Sequence, residues 1–385
     1  MLSLGRAVAP FWENDTVQAV IDRVLSLRDR MYASARFQSA AASFYPTRLI
    51  ARRRAYDLFD ICAGFVYSQI LAACVELGIF GILREAPLDL PSLARRCGLP
   101  IDAAQRLADA AVALRLLEKR SKGRYGLGAL GAAVAGNPGV AAMVGHHRHL
   151  YADLLDPVSL LRRSAKPTEL GKYWPYAATR QPSDLSSEEV AGYSALMASS
   201  QPIVADEVLD AYPLQRCRCL LDVGGGEGTF LAEAAARFPH LQLMLFDIPA
   251  VIERAKVQLE RRGLGPRSKI FGGDFFSDPL PKGADVISLI RIALDHDDQK
   301  VLTLLRSAHA ALGAGGVLLI AEPLPDMGHE PMASAYFGFY LMAMGRGRVR
   351  TREEFTNLLI EAGFKNVRFC KGRRVLQTGV VIATA

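Results

Sequence analysis

The chain has 385 residues, 50% of them hydrophobic and 22% charged, a balance that supports packed cores and excludes a disordered or low-complexity protein. One domain usually takes roughly 100–200 residues, so at least two are expected. A net charge of +7 admits an ordinary basic protein, a nucleic-acid partner or an anionic membrane surface, and charge alone does not separate these. No pair among the six cysteines has Cys-x-x-Cys spacing, and Cys217 and Cys219 have no second ligand cluster. Reduced thiols and no metal site are therefore expected.

Met1–Val8 is mildly apolar, but Glu13 and Asp15 follow, so no signal peptide is expected. Residues 11–60 read as helical, because Val17, Val20, Ile21, Val24 and Leu27 recur at helical spacing. Arg48, Arg52, Arg53 and Arg54 lie beside Phe44, Tyr45, Leu49 and Ile50. That mixture is either a solvated face or a patch that rests on anionic lipid. Ile61–Phe80 is about one membrane span long, yet Glu76 within it is costly in lipid. An amphipathic helix buried between the subunits of a homodimer is the expectation, with residues 15–110 building the contact.

Residues 89–128 read as a winged helix: helices over Pro91–Cys97 and Ala103–Leu117, then a basic hairpin over Glu118–Tyr125 with Gly123 in its turn. Ala103–Leu117 carries only Arg106 and Arg115 as cations, too few for a recognition helix, so no nucleic acid is expected. Residues 129–215 read as broken helices. His146, His147 and His149 lie near Tyr151 without His-Glu-x-x-His spacing, so a surface or dimer-contact cluster is expected. Glu169–Tyr176, rich in aromatics, reads as a loop or cleft lining.

From Arg218 the pattern changes to alternating short strands and helices, which predicts a doubly wound α/β domain, with two edge strands at the C-terminus. Its first strand runs into Leu221-Asp222-Val223-Gly224-Gly225-Gly226-Glu227-Gly228-Thr229-Phe230. The glycines allow a tight turn and close approach to a ligand. A dinucleotide fingerprint needs glycine at 229, where threonine stands. Asp222 before the turn suits the amine and carboxylate of a methionine-derived cofactor. Asp247 closes the second strand, where a carboxylate can accept two ribose hydroxyls or cap the next helix. Asp274 and Phe275 end the third strand, placed to meet an adenine ring, although Phe275 and Phe276 could equally be core.

Together these pieces resemble the plant-type small-molecule O-methyltransferases, over residues 55–378. The resemblance runs through Asp222–Gly228, Asp247, Gly273–Phe276, Glu322-Pro323-Leu324-Pro325, Arg350-Thr351-Arg352-Glu353-Glu354-Phe355 and Ala362-Gly363-Phe364. It implies a Rossmann-like methyltransferase domain behind a helical, winged-helix dimerisation domain. The expected boundaries are an N-terminal helical extension over 1–55, a dimerisation and substrate-cap domain over 56–200, and a catalytic domain over 201–385. S-adenosyl-L-methionine, leaving as S-adenosyl-L-homocysteine, is the implied cofactor, with Asp222, Gly224, Gly226, Asp247, Asp274, Phe275 and Arg291 around it.

Leu58–Gln69 and Gly171-Lys172-Tyr173-Trp174-Pro175-Tyr176 resemble more narrowly the hydroxyneurosporene (demethylspheroidene) O-methyltransferases of purple phototrophic bacteria. This implies methylation of the tertiary C1 hydroxyl of an acyclic carotenoid by an enzyme on the cytoplasmic side of the membrane that holds its substrate. Related alternatives are a bacteriochlorophyllide C-methyltransferase and a winged-helix regulator with a methyltransferase-like sensor domain. A long apolar pocket is expected from Phe65, Tyr173, Trp174, Met332, Phe337, Tyr340 and Met344.

The family pattern Leu-His-Asp-Trp-x-Asp meets Leu294-Asp295-His296-Asp297-Asp298 here. Asp295 stands where the catalytic histidine is expected and His296 follows it, so both are candidate bases. Glu322 matches one supporting glutamate of the family, and Val349 falls where the second would be.

Overall fold

Polar caps and apolar faces divide the chain as its spacing requires. The computed structural model describes residues 15–162, 167–174, 186–327, 331–371 and 378–385. Residues 1–73 and 74–385 form two compact units.

The first unit is helical: α1 (Asp15–Tyr32), α2 (Ala35–Ser43) and most of α3 (Tyr45–Glu76). Ser34 caps α2 by accepting the Phe37 N–H. The arginine run is exposed on α3, with the Arg54 guanidinium over the Tyr32 ring at 4.3 Å and bonded to its hydroxyl at 3.1 Å. By length and composition α3 is apolar enough to cross a membrane. The helix foreseen over Ile61–Phe80 is in fact broken. It ends at Glu76, Gly78 turns the chain at φ +66°, and α4 (Ile79–Glu85) starts anew. Ile61 and Phe65 are exposed in the single chain.

The second unit opens with the winged-helix segment. α5 (Leu90–Cys97) is capped by Asp89 and has a proline in its first turn, where the missing N–H has no cost. α6 (Ile101–Ala113) leads into a hairpin of β1 (Leu117–Lys119) and β2 (Tyr125–Leu127). The basic hairpin is partly neutralised by Lys119–Asp109 and Arg120–Glu118 ion pairs. Then follow α7 (Ala129–Ala135), α8 (Pro138–Asp153), α9 (Pro157–Leu161), α10 (Glu169–Tyr173) and α11 (Ser187–Ala211).

Beyond α11 the chain alternates: β3 (Cys219–Val223), α12 (Thr229–Arg237), β4 (Gln242–Asp247), α13 (Pro249–Arg261), β5 (Ser268–Gly272), β6 (Val286–Ile290), α14 (Asp298–Ala311), β7 (Val317–Pro323), α15 (Pro331–Met344), α16 (Arg352–Glu361), β8 (Lys365–Lys371) and β9 (Thr378–Thr384). The sheet order is β5-β4-β3-β6-β7-β9-β8, parallel through β7 and antiparallel at β9 and β8. Val286–Ile290 is buried throughout, as a strand covered on both faces requires. The strand order reverses between β3 and β6, and an open α/β sheet binds ligands at such a switch point.

Two local expectations are corrected. Of the two C-terminal strands only β8 lies at an edge of the sheet. β9 lies between β7 and β8, and Val380–Ala383 are buried, because the antiparallel return places β9 inside the sheet. Glu169–Tyr173 is a helical turn, since Thr168 accepts the Gly171 N–H and Asp153 accepts those of Glu169 and Leu170. Pro175 and Tyr176 lie outside the described residues.

Leu319→Ala in β7 is expected to cost about 2–5 kcal/mol, as deletion of a fully buried side chain does. Thr351→Ala, which breaks the α16 capping box, is expected to cost about 1 kcal/mol. Urea unfolding of the two variants checks both the size and the order.

Candidate active site

The glycine turn after β3 is built by backbone geometry. Gly224, Gly226 and Gly228 take φ of +68°, +58° and +78°, a region that side chains disfavour. Asp247, at the end of β4, holds the turn: its Oδ2 accepts the Gly226 N–H and its Oδ1 the Ile248 N–H, both at 2.8 Å. Burial pushes the Asp247 carboxyl up to about 6, against the pull of these bonds. Asp222 is fully buried beneath the turn. Its Oδ1 accepts the Ser288 hydroxyl at 2.6 Å, and its Oδ2 has no partner. Burial pushes Asp222 up to about 7.

Above the turn lies a cavity of about 720 Å³. It gathers Gly224, Gly226, Asp247, Asp274, Phe275, Arg291, Asp295, His296, Trp174 and Met344, residues up to 170 positions apart. Phe275 and Phe276 meet edge to face at 4.6 Å, and the His296 ring stands edge-on to Phe276 at 4.8 Å. Asp274 accepts the Phe276 N–H at 2.9 Å and so braces this aromatic wall.

Asp295 sits on the 3-10 turn Ala293–Asp295. Two buried charged side chains hold that turn. Glu322 Oε1, from the end of β7, accepts the Ala293 N–H at 2.7 Å and the Leu294 N–H at 3.3 Å. Arg350 donates to the Ala293 carbonyl at 2.7 Å, the His296 carbonyl at 2.5 Å and Asp298 at 2.8 Å. Burial raises Asp295 to about 7, opposed by Arg346 and Arg291. Burial, with Asp295 nearby, raises Glu322 to about 8. His296 moves the other way, to about 3, because burial and the neighbouring cations Arg346 and Lys300 disfavour its charged form.

Some foreseen residues lie elsewhere. Glu322 is not on the cavity wall; it holds the turn from behind. Tyr340 is one layer behind Trp174, accepting its indole N–H at 3.1 Å. Tyr173 stacks on His149 at 4.6 Å, and Phe337 packs edge-on to Tyr336. Neither Tyr173 nor Phe337 is on the wall. Phe65 belongs to the first unit, where it is exposed. Met332 lies in α15 with its side chain outside the described residues. The Arg291 guanidinium turns to α11, donating to Ser200 at 2.8 Å, the Met197 carbonyl at 3.0 Å and Gln201. The histidines are not a surface cluster. His146 is buried with its Nε2 2.8 Å from the Tyr340 hydroxyl, and His147 is 2.7 Å from that of Tyr336. Helix α15, packing on α8, covers them.

Sequence reasoning missed Tyr193, Met197, Gln201 and Arg346 on the wall. The α11 residues carry no motif. Arg346 falls between two glycines, and only the packing of its loop against Leu294 and Asp295 places it.

Residues 168–365 match an O-methyltransferase domain and residues 59–136 an O-methyltransferase dimerisation domain. The chain belongs to the O-methyltransferase family. It is an S-adenosylmethionine-dependent methyltransferase with a Rossmann-like core. It is 42% identical to the demethylspheroidene O-methyltransferase of Cereibacter sphaeroides over 356 residues, 92% of this chain and 93% of that one. A second demethylspheroidene O-methyltransferase, from Rhodobacter capsulatus, is 42% identical over 87% of this chain and 83% of its own. The human N-acetylserotonin methyltransferase structure in complex with S-adenosylmethionine superposes with a TM-score of 0.71 at 26% identity, covering 86% of this chain and 97% of that one.

Four raised carboxyls in one region have a measurable consequence. A folded pKa above the unfolded one means that folding takes up protons, so stability is present at low pH and lost as pH rises through the folded value. For Glu322, ordinarily near 4.5 and here about 8, the loss runs across that whole interval. Between about pH 6.5 and 8, above the ordinary histidine range, Asp222, Asp295 and Glu322 act together. The melting temperature of the cofactor-free protein is expected to fall across this window, and Glu322→Gln to flatten the fall. An equally steep fall in Glu322→Gln would count against the assignment.

Proposed function

We propose that the chain methylates the tertiary C1 hydroxyl of an acyclic carotenoid of the demethylspheroidene type. The 42% identity to demethylspheroidene O-methyltransferase over 92% of the chain carries this reading. The cavity supports it by gathering the apolar side chains of Trp174 and Met344, the Asp295 carboxyl and the glycine turn in one space.

The donor set fits S-adenosylmethionine. Glu227 at the turn is paired with Arg254 at 2.6 Å, while the Asp247 carboxyl lines the cavity and would face a ligand seated on the glycine turn. Asp247 keeps lone pairs for ribose hydroxyls beyond its two backbone bonds. Asp274, Phe275 and His296 frame the adenine, and Gly224 and Gly226 admit the amino-acid part. The sulfonium supplies an activated methyl group when bound. Arg291, locked against α11, shapes the wall between the two ligands.

A tertiary alcohol is a poor nucleophile unless its proton leaves as the new bond forms. Asp295 accepts that proton. Its burial raises its basicity toward neutrality, where a general base works best. His296 is near Asp295 in sequence, but its environment suppresses proton uptake and its ring belongs to the aromatic wall. Glu322 is a positioning residue that holds the turn carrying Asp295.

The enzyme works as a homodimer. The match of residues 59–136 to a dimerisation domain and the exposed apolar side chains of α3 support this. The exposed Arg48 and Arg52–Arg54 draw the enzyme to the anionic surface of the membrane that dissolves its substrate, on the cytoplasmic side.

Asp295→Asn is expected to lower kcat on a polyene tertiary alcohol by about 10²–10⁴-fold, with S-adenosylhomocysteine affinity by calorimetry kept within a few-fold. Undiminished kcat would remove Asp295 from the base role. Light scattering at micromolar concentration is expected to give the mass of a dimer; a monomer would refute the assembly.

A further inference from the structure

A second cavity, of about 910 Å³, adjoins the first, and Met344 and Arg346 line both. Each is the size of a small-molecule site, roughly 300–1,000 Å³. The first must hold both the cofactor and the reacting end of the substrate, so the second is space the reaction centre does not use.

One wall is a face of α15. Ser334, Gly338 and Leu341 recur every three to four residues on it, and Gly345 follows in the turn just after the helix. A Cβ added at Gly338 or Gly345 would meet nothing within 4 Å, so small residues here leave open space. The opposite wall is α9 and α10, through Leu160, Leu161 and Gly171. Thr168 ties this wall to α15 by donating to the Ala343 carbonyl at 2.5 Å.

Most of the charge in this cavity is already paired. Lys172 is bonded to Glu169 at 2.6 Å, and Arg348 to Asp298 at 2.9 Å and Glu354 at 2.6 Å. Arg346 lines both cavities and feels the charge of Asp295. Leu161, which lines the cavity, is 59% exposed, and Val158 and Leu155, three and six residues before it in the chain, are 49% and 87% exposed. An exposed apolar rim leading to a lined cavity suits a hydrocarbon, not an anion.

We infer that the cavity between α15 and α9–α10 is a tunnel for the hydrocarbon body of a long acyclic substrate, joined to the methyl-transfer site at Met344 and Arg346 and opening at Leu155, Val158 and Leu161. This deepens the proposed function and rests on its reading of the substrate as a polyene alcohol. The reacting hydroxyl lies at Asp295, the chain passes Met344, and the far end leaves at the apolar rim. Substrate length is thus sensed far from the base.

The test uses the full-length protein with Gly338→Trp, which plugs the tunnel, and Leu161→Glu, which puts a charge at its mouth. Binding of an all-trans polyene tertiary alcohol in mild detergent is followed by the shift of its absorption band. A short terpene alcohol with the same end group is assayed for turnover, and S-adenosylhomocysteine affinity monitors folding of the cofactor site. Each variant is expected to weaken polyene binding about tenfold while the short alcohol, which does not reach the tunnel, shows no comparable rise in KM. Polyene binding as tight as wild type in both variants overturns the tunnel. So does an equal loss for the long and the short alcohol. Loss of polyene binding in both variants, with wild type methylating neither alcohol, keeps the tunnel and removes the proposed reaction instead.

Discussion

Residues 293–296 belong to neither the sheet nor a long helix, yet they carry Asp295, the group proposed here as the base. Their backbone is buried, and buried N–H and C=O groups must be bonded. Glu322 takes the N–H groups of Ala293 and Leu294, and Arg350 gives its own N–H groups to the carbonyls of Ala293 and His296. The turn is gripped from both sides, by the Glu322 carboxyl at the end of β7 and by the Arg350 guanidinium from the segment before α16. Ionisable groups withdrawn from water at this depth contribute little net stability. Their return is geometric, since a turn held at four backbone groups keeps Asp295 in one place, and placement is a large part of what an enzyme contributes.

The same clamp fixes the electrostatics. Asp295 is near enough to Glu322 to raise the Glu322 carboxyl's hold on a proton. Arg291 and Arg346 oppose that tendency at Asp295. A carboxyl between burial and two guanidiniums ends near neutrality, a condition neither influence alone produces. His296, one residue on, shares the burial but is surrounded by cations, and burial drives an imidazole the opposite way from a carboxyl. Adjacent residues in one turn thereby acquire opposite tendencies toward a proton.

What was legible in the sequence was local. The turn from Leu221 to Phe230 is contiguous, its glycines answer to backbone geometry, and Asp247 announces itself by closing a strand. The runs of β3, β6 and β7 are apolar because both sheet faces are covered. The parts that were not legible depend on residues far apart in the sequence. β9 reads as an edge strand because its burial comes from β8 folding back on it. The histidines of α8 look solvent-facing until Tyr336 and Tyr340, some 190 positions away, cover them. Arg346 has no periodicity to betray it, since it sits in a loop whose glycines, at φ +86° and +87°, set its direction. Glu322 was visible as a motif residue, but its true partners, backbone N–H groups, leave no mark in a side-chain pattern.

The departure of this chain from the family histidine follows from the physics of its cavity. An imidazole here would stand among Arg291, Arg346 and a dry apolar wall, and His296 gives the measure of what such surroundings do to that ring. A carboxyl in the same surroundings gains from the cations what it loses to burial, so it can be charged in part and basic in part at neutral pH. Closing the cavity with an apolar ligand withdraws the remaining water and strengthens both influences at once. On the proposed assignment of Asp295 as the base, a hydrocarbon that fills the space around Met344 leaves the hydroxyl as the group facing that carboxyl, with water excluded. Recognition of the apolar body and activation of the polar end are then one physical event, because both are set by the exclusion of water from the same turn.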